Sequence, residues 1–216
     1  MWLVTVGSTV EFDALCEAFG YSESDAKTTP TGARVAFAPE PDPRPTVGLV
    51  GDDPAANRRL LEWGQSQRGI HGVVTSGLAL SCGAAADPGA VLIPTHCYRA
   101  VGRIEPNGGP LLYEELPFDS ALQAKLAEAL SPGDTLDRRP LFGAPRTIGS
   151  AEVRDWVGAK LGCPALDGHS GDIHVFGRNL GLPVASFKLV ASPEGQRRLR
   201  TLWKNWATRY VAPPAT

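Results

Sequence analysis

The stretch from Ala165 to Pro193, ALDGHSGDIHVFGRNLGLPVASFKLVASP, limits the folds open to this chain more than any other. Cys163 to Leu166 is short and apolar, Ser170 to Leu180 carries helical spacing, and Val184 to Val190 is apolar again after Gly181-Leu-Pro183. The stretch reads as a strand, a helix and a second strand, and that alternation points to helices layered on a mostly parallel or mixed sheet.

The rest of the chain repeats that alternation. Trp2 to Val6 reads as a strand ending at Gly7-Ser8, and Thr9 to Phe19 as a helix with Val10, Ala14, Leu15 and Ala18 on one face. Ala33 to Ala38 and Thr46 to Val50 are short strands on either side of a proline-dense connector, Pro39 to Pro45. Asp53 can cap the next helix, and Pro54 suits its first position. Ile70 to Ser76 is a continuous apolar run, as in a strand covered on both faces. Val91 to Pro94, Tyr98 to Ile104 and Leu141 to Ile148 are further strands, with a turn at Asn107 to Pro110. Helices are expected over Asp119–Leu130, from Ser150 to Leu161, and from Pro193 to about Tyr210, where Leu199, Leu202, Trp203 and Trp206 form an apolar stripe. The prediction is an α/β protein, a single three-layer α/β/α domain over residues 1–216 with a mixed, mostly parallel central sheet.

A formal net charge of −2 gives no electrostatic reason to expect a nucleic-acid surface. No apolar run approaches the roughly 20 residues of a membrane span. Cys16, Cys82, Cys97 and Cys163 are scattered, without a C-x-x-C pair, which argues against a zinc site or a disulfide framework and fits a reducing cytoplasm. The N-terminal residues turn polar quickly, and read as a first strand instead of a signal peptide.

Three separated segments resemble, in order, the nucleoside phosphorylase and methylthioadenosine/adenosylhomocysteine nucleosidase superfamily. The first is the turn Gly7-Ser-Thr-Val-Glu11-Phe-Asp13. The second is Gly72-Val-Val-Thr-Ser76-Gly77-Leu-Ala79-Leu80-Ser81-Cys82 followed by Pro88-Gly89-Ala90-Val-Leu-Ile-Pro94. It is similar to the family's I-x-T-G-x-A-G-G-L and P-G-D-[IV]-V-[IV]-P. The third is Ala165 to Pro193, similar to A-V-[ED]-M-E-[SAG]-A-A-V-A, a helix, and G-[VL]-P-F-x-x-[IL]-R-x-[IV]-S-D. The resemblance implies the phosphorylase/nucleosidase fold and cleavage of a purine N-glycosidic bond. It also implies a nucleoside-like substrate and a homo-oligomer, expected to be a dimer.

The chain departs from the family at the reacting positions. His169 stands where the ribose-gripping glutamate should be, Ser192 where the purine-protonating aspartate should be, and Lys188 where the last strand carries arginine. A serine hydroxyl does not titrate near neutral pH, so Ser192 can hydrogen-bond but is no strong acid. A protonated His169 would repel a cationic sugar; a neutral one could act as a base. Asp167 lies at the strand end before His169. Asp172, three residues on, shares a helix face with it and permits a His–Asp dyad. The catalytic candidates are therefore His169, Asp167, Asp172, Ser192 and Glu11. The register puts Phe12 nearest the family's water-activating glutamate, with Glu11 and Asp13 on either side.

Substrate-binding candidates are Ser76, Gly77 and Ala79 of the small-residue loop, Phe12, Arg146 and Thr147 by position, His96 beyond Pro94, and Lys188. His71 is expected to be a satisfied core histidine, and His174 to lie at the surface or serve packing. Cysteine nucleophilic catalysis by Cys97 is disfavoured, since neighbours on a strand point to opposite faces. No ligand spacing supports a metal, and no cofactor is expected. Phosphate as co-substrate is disfavoured because Leu80-Ser81 crowd the loop and basic residues are missing. Three readings stay open: a glycosidase with rebuilt catalytic groups, a repurposed scaffold catalysing an isomerisation, elimination or cyclisation, and a noncatalytic ligand-binding protein.

Overall fold

A computed structural model describes residues 1–39, 42–83, 87–102, 104, 110–130, 136–144 and 148–211. In chain order the elements are β1 (Trp2–Val6), α1 (Thr9–Ala18), a 3-10 turn (Glu23–Asp25), β2 (Ala26–Thr28), β3 (Arg34–Ala36), β4 (Thr46–Leu49) and α2 (Pro54–Arg68). There follow β5 (Gly72–Thr75), β6 (Leu78–Ser81), β7 (Val91–Leu92), β8 (His96–Ala100), β9 (Tyr113–Pro117), α3 (Ser120–Leu130) and β10 (Leu141–Gly143). The chain ends with α4 (Ala151–Leu161), β11 (Ala165–Asp167), α5 (Ser170–Asn179), β12 (Val184–Ser186), β13 (Lys188–Val190) and α6 (Gly195–Val211).

Two mixed sheets result. One has the order β12-β5-β1-β4-β3-β2, the other β7-β13-β6-β11-β10-β8-β9. Along β1, Val4 and Val6 pack with Phe12, Leu15, Trp203 and Trp206 of α1 and α6, while Leu3 packs with Leu60, Leu61 and Ile173 of α2 and α5. The period-2 alternation of a strand thus feeds two helical layers from one buried sheet. This is the expected α/β/α architecture, and the apolar stripe of α6 lies in its core. The helix starts follow the expected chemistry: Asp53 accepts from Ala55 N at 2.9 Å with Pro54 at the first position, and Ser150 accepts from Val153 N at 3.4 Å.

The main departure from the sequence reading is a seam. The strand expected over Val184–Val190 is two strands, broken at Phe187, with β12 in one sheet and β13 in the other. The small-residue loop after β5 is itself a strand, β6, so Ser76-Gly77 forms a second break beside the first. β5 pairs with β12 and β6 with β13, both in parallel. Phe187 N donates to Thr75 O at 3.0 Å and Leu189 N to Gly77 O at 3.1 Å. The ladder therefore skips the Ser76 carbonyl.

Other expectations shift at their ends. β8 starts at His96 and stops at Ala100, and β10 stops at Gly143. β2 and β9 have no clear apolar alternation and were not anticipated. His71, expected in the core, is exposed and hydrogen-bonded to the Met1 amine. Most of the turn expected at 107–110 lies outside the described residues. No helix among the described residues is long and apolar enough to cross a membrane.

Candidate active site

A cavity of about 260 Å³ opens at the seam. Its floor is the Gly7-Ser8 turn after β1, with Glu11 from the first turn of α1. Leu78 and Leu80 of β6, Leu166 of β11 and Val50 after β4 give apolar walls. Asp167, Gly168 and His169, between β11 and α5, close the far side, and Asp52 and Gln196 stand at the rim.

Glu11 is fixed by its neighbours. Ser8 caps α1, its Oγ accepting from Glu11 N at 3.3 Å and donating to Glu11 Oε2 at 2.9 Å. Leu78 N donates to Glu11 Oε1 at 2.6 Å, a short charge-assisted bond. Gly77 makes this contact possible. Its φ is +118°, and a Cβ there would fall 2.5 Å from Glu11 Oε1. Of the three residues around the expected acidic position, Glu11 lines the cavity and Phe12 is buried in the core. Asp13 lies outward, paired with Arg34 at 2.9 Å. Phe12 instead lines a separate cavity of about 550 Å³ with Tyr21 and Arg34.

Behind the cavity lies a buried ionic cluster. Lys188 has no solvent exposure. Its Nζ is 2.6 Å from Asp167 Oδ2, donates to the skipped Ser76 carbonyl at 2.8 Å, and lies 3.1 Å from His169 Nε2. Asp167 also caps α5, accepting from Ser170 N at 3.1 Å and from Ser170 Oγ at 2.5 Å. Thr75 Oγ1 is 2.9 Å from both Ser170 Oγ and Ser186 Oγ, tying the cluster to the other sheet.

Burial alone would raise the pKa of Asp167, but Lys188, with help from His169 and Ser170, holds its carboxyl well below the usual carboxylate range. Burial, and then the charge of Lys188, push His169 down to about 4 against the opposing pull of Asp167 and the Ser76 carbonyl. The imidazole is therefore neutral at physiological pH and does not repel a cationic sugar.

The His169–Asp172 dyad is not formed. Asp172 accepts from Arg99 Nε at 2.8 Å, and the carboxylate nearest His169 is Asp167, with Oδ2 3.7 Å from Nε2. Ser192 lies outside the cavity lining; its carbonyl accepts from Gly195 N at the entry to α6. Ser76 is buried, its Oγ accepting from Trp203 Nε1 at 2.8 Å, so it anchors α6 instead of facing the cavity. Ala79 points to the opposite face of β6 from Leu78 and Leu80. His96 is half-buried on β8, 2.9 Å from Thr95 Oγ1 and edge-on to Tyr98, away from the cavity lining. His174 packs on Phe118. Arg146 and Thr147 lie outside the described residues.

Sequence reasoning passed over Ser8 and Gln196. Ser8 had a signal, a Ser-x-x-Glu pattern ahead of a helix, which is half of a capping box. Gln196 had none, because a polar residue in the first turn of an amphipathic helix is commonplace.

No family model and no curated protein matches the sequence. The chain nevertheless has the mixed α/β phosphorylase/hydrolase-like fold of the nucleosidases. The native futalosine hydrolase of Helicobacter pylori superposes with a TM-score of 0.76 at 13% identity, covering 97% of this chain and 95% of that one. The Helicobacter pylori 5'-methylthioadenosine/S-adenosylhomocysteine nucleosidase, solved with butyl-thio-DADMe-Immucillin-A, gives 0.74 at 13%, over 97% and 95%. A putative methylthioadenosine nucleosidase from Weissella paramesenteroides gives 0.74 at 14%, over 98% of both chains.

Proposed function

We propose that the chain is a hydrolase of the nucleosidase kind, cleaving the N-glycosidic bond of a small nucleoside-like metabolite. One observation carries the reading: a pinned carboxylate, Glu11, and a neutral imidazole, His169, face each other across Gly7 in the cavity of a nucleosidase fold. A Cβ on Gly7 would lie 3.0 Å from His169 Nδ1 and 4.0 Å from Glu11 Oε2, so a small group placed over Gly7 reaches both.

In the proposed reaction a water gives a proton to Glu11 and attacks the anomeric carbon as the bond to the base nitrogen breaks. The bonding pair leaves with the base. The negative charge of Glu11 favours the oxocarbenium-like sugar, and neutral His169 does not oppose it. Leu78, Leu80 and Leu166 offer an apolar wall to a flat ring. Hydrolysis is preferred to phosphorolysis because Glu11 already occupies the Leu78 amide that an anion would use. A soluble cytoplasmic homodimer, folded as one domain, belongs to the same proposal.

The position of Ser192 favours a second reading. No acid stands there to protonate a departing purine, which suits a different acid/base reaction with Glu11 and His169 as the working pair. Incubating the pure protein with adenosine, inosine, methylthioadenosine, adenosylhomocysteine and futalosine, with and without phosphate, and following free base by chromatography separates the two. Phosphate-independent release of base that falls by about 10²–10⁴ in Glu11→Gln supports the glycosidase. No release from any substrate at high enzyme concentration rejects it in favour of the second reading.

A further inference from the structure

An ammonium group has three N–H donors and no acceptor. Lys188, wholly buried, finds three acceptors: Asp167 Oδ2 at 2.6 Å, the Ser76 carbonyl at 2.8 Å and His169 Nε2 at 3.1 Å. The third works only if Nε2 offers a lone pair. Asp167 cannot claim a proton on Nε2 either, since its Oδ2 is 3.7 Å away, beyond hydrogen-bond distance. In a neutral imidazole the proton then sits on Nδ1, and Nδ1 is on the ring edge that faces Gly7 and the cavity.

We propose that Lys188 is a positioning residue that fixes His169 as the Nδ1–H tautomer, so that the cavity presents a donor, His169, beside an acceptor, Glu11. The pair is matched to one O–H group, which accepts from His169 and donates to Glu11. On the reading that the chain is a nucleosidase, the seated group is the attacking water.

The chain has four histidines, so ¹⁵N NMR of histidine-labelled protein, with His169→Asn for assignment, reads the tautomer directly. The expected spectrum at neutral pH has a protonated, pyrrole-type Nδ1 and a bare, pyridine-type Nε2 at His169. In Lys188→Met the Nε2–H form becomes dominant. A wild-type spectrum with the proton on Nε2, donated to the Ser76 carbonyl, overturns the proposal, and that measurement needs no variant to fold. Failure to cleave any nucleoside would reject the hydrolase reading and leave the tautomer result standing on its own.

Discussion

Gly77→Ala tests the coupling between the seam and the cavity. The substitution adds one methyl at φ +118°, 2.5 Å from Glu11 Oε1 and 3.0 Å from its carboxyl carbon. Two costs follow. The backbone strain of a non-glycine residue in that region is about 1–3 kcal/mol. The Glu11 side chain can swing away, but it then gives up the 2.6 Å bond from Leu78 N, and a hydrogen bond to a charged group contributes about 1.5–3 kcal/mol. Gly77→Ala should therefore destabilise by about 2.5–6 kcal/mol. Without the carboxylate only the strain remains. In a Glu11→Ala background the same change should cost about 1–3 kcal/mol, leaving a coupling energy of about 1.5–3 kcal/mol. Urea unfolding of the four proteins measures it. Additivity of the two single substitutions would refute the claim that Gly77 is glycine in order to seat Glu11.

Three further outcomes are expected. Lys188→Met leaves Asp167 charged and buried without its partner and should cost about 3–5 kcal/mol, whereas Lys188→Met with Asp167→Asn should recover much of that loss, both read by denaturant unfolding. His169 is held near 4 in the folded protein and near 6.5 in the unfolded chain, so the unfolded chain binds the extra proton between those values. Its contribution, about 3 kcal/mol at most, is fully present above about pH 6.5 and is lost as the pH falls to about 4; His169→Asn should flatten that part of the stability profile, with Lys188, Asp167 and Glu11 as the charges facing the ring. Trp203→Phe removes the donor to Ser76 Oγ and should cost about 1 kcal/mol or slightly more, since Ser76 Oγ stays buried.

The alternation of strands and helices was readable because burial writes its period into the sequence: Leu3, Val4 and Val6 of β1, or Leu199, Leu202, Trp203 and Trp206 of α6, leave no other arrangement that buries them. The three motif segments that carry Glu11, Asp167 and His169 were readable as segments, but the register alone put Phe12, not Glu11, nearest the acidic position. The seam was not readable. Thr75 to Ala79 and, apart from Lys188, Val184 to Val190 are apolar or small, and a run buried on both faces looks the same whether it stays in one sheet or passes into another. Without the seam, Ser76 reads either as a ligand-binding hydroxyl or as a satisfied strand-end serine, and Lys188 either as a structural charge or as a cation for an anionic substrate. The bond from Trp203 to Ser76 Oγ makes the first an anchor, and the Ser76 carbonyl that the ladder skips accepts from Lys188 and helps make the second a buried hub. The helical spacing of His169 and Asp172 was sound as geometry, but spacing within one helix says nothing of Arg99 arriving from β8 to claim the carboxylate.

The seam has a consequence for how such a chain can change over time. The ladders of both sheets close around it through main-chain bonds from Phe187 and Leu189, and these are indifferent to which side chains project from residues 76, 169 and 188. New side chains can be tried at these three positions while the scaffold around them keeps its hydrogen bonds, provided that buried charges are exchanged in balanced sets. Side chains and architecture are thereby uncoupled at this one line across the molecule, which is compatible with a chain 13% identical to a futalosine hydrolase sharing its fold.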